Sequence, residues 1–168
     1  TSVTSIKDLD NNLKNIYFID GGSSVLGLES TVIQTTENEC KILRLGSLTI
    51  EEIKKRFASY IIKVDSSSIS PGNQKMHYSP LKPLRINVKS VKNNEALLNY
   101  GKNKLISNIK NMNLSLDENL IEAGHNFYNY LNILDHSNCE GIAVAPIPDK
   151  GLGETINDRL RRASFKKL

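Results

Sequence analysis

Gly141-Ile142-Ala143-Val144-Ala145 (GIAVA) is the stretch on which the fold turns. The run is apolar throughout, too short for an independent helix, and without polar alternation. That pattern suits a parallel strand buried on both faces. Downstream, Ile156, Leu160 and Ala163 stripe one face of a terminal helix. Upstream, Leu120, Ala123, Phe127, Leu131 and Leu134 share a face of a long helix, and Ser115 with Glu118 reads as its cap. Working further back, the pattern predicts a strand at Lys104–Ile109, a helix at Glu95–Tyr100 and a strand at Leu84–Val88. Strands alternating with helices predict an α/β domain over residues 85–168: a small, mostly parallel sheet with helices on its faces. A domain of that length can bury a core of its own.

Residues 63–84 differ in kind. Ser66-Ser67-Ser68, Ser70-Pro71-Gly72, Pro80 and Pro83 break any periodicity, so the segment reads as a linker with His77-Tyr78 set among the prolines. At roughly 3.3 Å per residue it can span up to ~70 Å, enough to cross the face of a small domain. Loops of this length are functional or disordered more often than incidental. Before it, the spacing of Val3, Ile6, Leu9 and Leu13 predicts a helix starting near residue 5, and Asn15–Asp20 a short buried strand stopped by Gly21-Gly22. Ser30–Thr36 and Cys40–Arg44 read as a hairpin around Glu37-Asn38-Glu39. Thr49 and Glu52 form a capping box ahead of Ile50, Ile53 and Phe57, and this first unit closes near residue 62.

The chain has 168 residues, 39% hydrophobic and 24% charged, an ordinary globular balance with no apolar run near the length of a membrane span. No secretory signal opens it, and the absence of an initiator Met fits a trimmed or excised chain. The net charge of +4 divides as −1 over residues 1–62, +2 over 63–84 and +3 over 85–168. That distribution is compatible with weak RNA affinity or simply with a soluble surface carrying extra lysines. Cys40 and Cys139 have no second Cys or His at metal-ligand spacing and are expected to be reduced, buried thiols of a cytoplasmic protein.

Three stretches read together bring a family into view: Gly27-Leu28-Glu29-Ser30-Thr31-Val32 leading to Ile42-Leu43-Arg44-Leu45-Gly46; Ser70-Pro71-Gly72 with His77-Tyr78-Ser79-Pro80; and Gly151-Leu152-Gly153-Glu154-Thr155-Ile156-Asn157-Asp158-Arg159-Leu160-Arg161-Arg162-Ala163. Their order and spacing resemble the C-terminal half of the two-domain threonylcarbamoyl-AMP synthases, which join a YrdC-like catalytic domain to a Rossmann-like one. The resemblance implies a truncated α+β YrdC-like remnant over 1–62, a lid-like linker over 63–84, and a small Rossmann-like three-layer domain over 85–168. It implies a nucleotidyltransferase acting on L-threonine, bicarbonate and ATP with Mg as substrates, serving tRNA threonylcarbamoyladenosine modification beside downstream tRNA-modification proteins. No protein-bound metal is implied.

By the same resemblance Ser2, Arg44 and Tyr78 would contact ATP, and Ser30 would contact L-threonine. Val3 stands where the family usually has proline, which weakens the placement of Ser2. The residues have readings of their own. Arg44 ends an apolar strand and can fork onto phosphate oxygens, or pair as a surface arginine with Glu51 or Glu52. Ser30 can donate to a carboxylate or simply form a turn. Glu29 can orient a loop or lie in water. Tyr78, without an element of its own, must dock over a ligand or anchor the linker. His77 reads as a structural hydrogen-bonder, and His125 and His136 as surface residues. Gly151-x-Gly153 before a helix lacks a third glycine at position 156, so a phosphate loop gives way to structure there. Asp158, Arg159, Arg161 and Arg162 read as ion pairs and a domain contact.

The family's N-terminal Lys-x-Arg and Ser-x-Asn motifs are absent in their usual setting. No catalytic residue is therefore assigned in this chain, which is expected to be inactive alone. Apolar faces left without sheet neighbours predict dimerisation or disorder over residues 1–62. A non-catalytic nucleotide- or RNA-binding module, or a regulatory lid, stays open beside the enzyme reading.

Overall fold

Two β-sheets organise the described residues, one of three strands and one of four. The computed structural model describes residues 17, 19, 21–22, 24–65 and 79–164. The helix expected near residue 5 lies outside the described residues, as does most of the strand expected at Asn15–Asp20. Its two described members, Tyr17 and Ile19, are fully exposed and belong to no strand.

In the first unit, Val32–Thr35 (β1) and Glu39–Arg44 (β2) form the expected antiparallel hairpin, with an irregularity in register at Val32-Ile33. Helix Ile50–Arg56 (α1) follows, and its capping box is present: the Thr49 hydroxyl accepts from the Glu52 amide while the Glu52 carboxylate accepts from the Thr49 amide. Ile61–Val64 (β3) then pairs parallel to β2, placing a strand across residue 62. Cys40, Ile42 and Ile53 are the fully buried heart of this unit, with Ile33, Ile50, Phe57 and Ile62 packed around them.

The second unit holds a wholly parallel sheet of Leu84–Arg85 (β4), Glu95–Asn99 (β5), Asn111–Asn113 (β6) and Gly141–Val144 (β7), in the order β4-β7-β5-β6. The GIAVA segment is indeed an interior strand, buried at every position. Glu95–Tyr100 is not the expected helix. Glu95, Ala96, Leu97 and Leu98 are buried in succession, which leaves no polar face for an amphipathic helix and is what a strand covered on both sides requires. The strand expected at Lys104–Ile109 lies instead at Asn111–Asn113. Residues 104–109 are a loop fastened by Ser107, whose hydroxyl donates to the Glu95 carbonyl, and by Asn111, whose amide oxygen accepts from the Ser107 N–H. Leu84–Val88 shrinks to two strand residues.

Helix Leu120–Asp135 (α2) begins later than its expected cap. Asn119 is the N-cap, accepting from the amides of Ile121 and Glu122, while Ser115 braces the turn by accepting from the Asn119 amide. Helix Leu152–Ser164 (α3) carries the expected Ile156-Leu160-Ala163 stripe. Both helices pack on one face of the sheet, against Leu84, Ala96, Leu98, Ile142 and Val144. The opposite face, formed by Leu97 and Ala143, is covered by Val88, Val91 and Leu105 from loops. The third layer expected to be helical is therefore irregular chain. No helix of the described residues is long and apolar enough to cross a membrane.

Candidate functional site

Ser30 and Arg44 are separated by a hairpin and meet at its open end. The Arg44 guanidinium donates to the Ser30 carbonyl from Nε at 3.3 Å and from NH2 at 3.0 Å, and NH2 also reaches the Ser30 hydroxyl oxygen at 3.2 Å. Glu52, one of the alternative partners read for Arg44, serves the capping box of α1. Ser30 is exposed and Arg44 half-buried, so the pair faces outward with its backbone fixed behind it. Because the Ser30 Oγ accepts from Arg44, its own proton can be given to an acceptor elsewhere, such as a carboxylate.

Gly46 makes this closeness feasible. A Cβ there would lie 2.4 Å from the Ser30 carbonyl carbon and the Thr31 nitrogen, so the 29–31 backbone packs directly on it. The Ser47 amide donates to the Glu29 carbonyl at 2.7 Å, and Thr31 Oγ1 exchanges hydrogen bonds with Leu48. Both segments are in turn held by the second unit. Thr155 Oγ1 donates to the Gly46 carbonyl at 2.9 Å, and Arg159 donates from NH2 to the Leu45 carbonyl at 2.6 Å. Arg159 Nε and the Tyr128 hydroxyl both donate to Glu29 Oε2, at 3.3 and 3.0 Å. The preceding loop is seated on α2: Leu28 enters the core of the second unit, and a Cβ on Gly27 would collide with the Gly124 carbonyl at 2.4 Å.

Arg159 has no exposed side-chain surface, and a buried guanidinium is tolerated only with full pairing. Asp158 at 2.6 Å and Glu29 provide it. Burial works against the charge, but the Tyr128 hydroxyl, Glu29 and Asp158 outweigh it and hold the guanidinium above its ordinary pKa. Asp158 also receives Arg162. The expected domain contact is present, and Glu29 takes part in it as a loop-orienting carboxylate. Tyr128 was not singled out by sequence reasoning, and Thr155 entered only as a member of the 151–163 motif, because a lone hydroxyl on a helix face carries no spacing signal.

Ser2, His77 and Tyr78 lie outside the described residues. His125 and His136 are exposed, as expected, and His125 Nδ1 contacts the Val25 carbonyl at 3.1 Å. Gly153 is structural: a Cβ there would meet the Pro148 carbonyl oxygen at 2.0 Å. Cys40 and Cys139 are buried free thiols. Among the described residues no group of three or more His, Cys, Asp or Glu is placed to hold a metal ion. A cavity of about 220 Å³ opens at the amino ends of β4, β5 and β7, where Arg85 pairs with Glu95 and Lys92 and Glu140 also line the wall.

Comparison with known proteins places these features in context. The family described as threonylcarbamoyl-AMP synthase, C-terminal domain, matches residues 48–164. Threonylcarbamoyl-AMP synthase of Pyrococcus abyssi (strain GE5 / Orsay) is 31% identical over 169 residues, covering 89% of this chain and 49% of the relative. The synthase of Bacillus subtilis (strain 168) is 26% identical over 178 residues, covering 94% and 50%. The crystal structure of P. abyssi Sua5 complexed with L-threonine superposes with a TM-score of 0.70 at 26% identity, over 86% of this chain and 48% of that one. A double-alanine variant of the same protein gives 0.69 at 23% identity, covering 86% and 47%. The chain spans about half the length of the curated relatives it matches.

Proposed function

Because the chain belongs to the threonylcarbamoyl-AMP synthase family through its C-terminal domain, we propose that it forms the C-terminal half of an enzyme making threonylcarbamoyl-AMP. The reaction would join L-threonine, bicarbonate and ATP, release pyrophosphate, and supply tRNA threonylcarbamoyladenosine modification. The observation that carries the proposal is the junction of Ser30 with Arg44 at one outward-facing point, fourteen residues apart in sequence. In this reading the Arg44 guanidinium, held on Ser30 through Nε and Nη2, brings its positive charge to phosphate oxygens of Mg-bound ATP. Ser30, already an acceptor for Arg44, directs its proton to the L-threonine carboxylate. Ser2 and Tyr78 complete the nucleotide contacts, with residues 63–84 serving as a lid.

The attack of a threonine carbamate on the α-phosphate needs further cations to carry the developing charge. Those belong to the catalytic half that precedes this chain in the family, so this chain alone is inactive. The test is threonine-dependent pyrophosphate release by the 168-residue chain, by a separately produced catalytic half, and by the two combined. Only the mixture should turn over. Arg44→Ala should then cut kcat/KM for ATP, and Ser30→Ala that for L-threonine, each by roughly 10- to 100-fold, the value of a hydrogen bond to a charged group. Full activity in both variants would reject the assignment. In that event, salt-dependent RNA binding by residues 85–168 would favour the non-catalytic module.

A further inference from the structure

Thr155 and Arg159 stand one turn apart on α3 and take hold of two successive carbonyls, those of Gly46 and Leu45, directly after Arg44. On the other side of the pair, Tyr128 from α2 and Arg159 share Glu29 Oε2, directly before Ser30. The two gripped segments are also tied to each other by the Ser47–Glu29 hydrogen bond. None of the three side chains is directed at an outer surface: Thr155, Arg159 and Tyr128 are each about 1% exposed.

We infer that Thr155, Arg159 and Tyr128 are positioning residues, through which the parallel-sheet domain sets the distance and orientation of Ser30 and Arg44 for substrate. The inference rests on the function proposed above and adds a role for the C-terminal domain other than covering the site. A strut built this way acts through backbone. Carbonyls 45 and 46 and the residue 29 side chain are anchored, so residues 30 and 44, which adjoin them, keep their register on the protein that supplies the chemistry. Small displacements at such positions are costly, since substrate groups must arrive in a narrow geometry.

The variants must remove a hydrogen bond without removing a fold. Arg159→Ala would take a donor from Glu29, from Asp158 and from the Leu45 carbonyl, empty a buried place and risk unfolding. Thr155→Val and Tyr128→Phe delete only a hydroxyl, and Thr155→Ser restores one. On the 168-residue chain, amide exchange at Ser47 should quicken about tenfold in Thr155→Val and in Tyr128→Phe, while the Ala145 amide in the sheet keeps its rate. In the enzyme completed with its catalytic half, KM for L-threonine and ATP should rise about five- to tenfold with kcat within twofold, and Thr155→Ser should recover the parent values. A merely structural role would instead lower kcat in proportion to the folded fraction and leave KM alone. That outcome, or unchanged exchange at Ser47, overturns the inference. Ser30→Ala and Arg44→Ala run beside them as controls. If the controls impair turnover and the hydroxyl deletions do not, positioning fails and the proposed function stands. If the controls are silent, the function fails first and takes the inference with it.

Discussion

Gly46→Ala is the sharpest probe of how the site is built. The new Cβ would sit 2.4 Å from the Ser30 carbonyl carbon and the Thr31 nitrogen, and 2.5 Å from the Glu29 oxygen. Contact begins near 3.5 Å, so the 29–31 segment must retreat by roughly 1 Å. All three obstacles are backbone atoms, and no side-chain rotation relieves them. A 1 Å retreat carries the Ser47–Glu29 hydrogen bond, now 2.7 Å, past the range in which such bonds hold. It also strains the Thr155 contact to the Gly46 carbonyl. Overpacking costs about 1–3 kcal/mol, and each hydrogen bond lost about 0.5–1.5 kcal/mol. The total expected is about 2–4 kcal/mol, read as a lower urea midpoint by circular dichroism at an unchanged slope. Gly21→Ala, with nothing within 4 Å of its added carbon, is the control and should move the midpoint little. A Gly46→Ala chain within about 0.5 kcal/mol of the parent, the spread of ordinary surface changes, would mean that residues 29–31 do not rest on position 46.

Glu95 is held below its usual carboxylate pKa, first by its hydrogen bonds from Arg85 and then, against the opposing effect of burial, by the Lys92 amide. Between the ordinary carboxylate value of 4.5 and its own lower value, the folded state therefore binds fewer protons than the unfolded state. The Glu95 contribution is full above that pH and is lost as pH falls through it toward the folded value. Urea titrations from pH 6 to 3 should show this acid loss in the parent and a smaller one in Glu95→Gln. Glu154 has the opposite sign: burial first, then Glu51 and Asp149, raise its pKa, and its Oε2 is buried without a hydrogen-bond partner. It costs stability at neutral pH, and the cost disappears below pH 4.5, so Glu154→Gln should stabilise the chain at pH 7 and become indistinguishable from it in acid. Phe127→Ala, which deletes a ring 1% exposed and 4.9 Å from that of Tyr128, should lower stability by about 3–5 kcal/mol by calorimetry or urea.

The legible parts of the fold were those with a period or a cap. The α3 stripe, the buried face of α2, the Thr49–Glu52 box and the uniformly apolar β7 each announce themselves through spacing. Glu95–Asn99 misleads because Glu, Ala and Leu favour helices locally, and only the need to fill a sheet interior overrides them. Asn111–Asn113 is polar and at the sheet edge, so nothing in its composition marks a strand. At the site, Ser30 and Arg44 were accessible through motif likeness, and their mutual contact follows from the hairpin. The 158–162 charges read as a domain contact, but its targets at residues 29, 45 and 46 were not accessible, since they depend on how two separate sheets dock.

The uneven cover of the parallel sheet has a consequence for how the domain breathes. On one side Leu97 and Ala143 are shielded only by Val88, Val91 and Leu105, carried on chain without helical hydrogen bonding. A transient lift of the 102–106 segment, which carries Leu105, would admit water to that side while α2 and α3 stay seated on the other. The same asymmetry makes its helix-free side the place where added sequence could accumulate among relatives at least cost to the remainder.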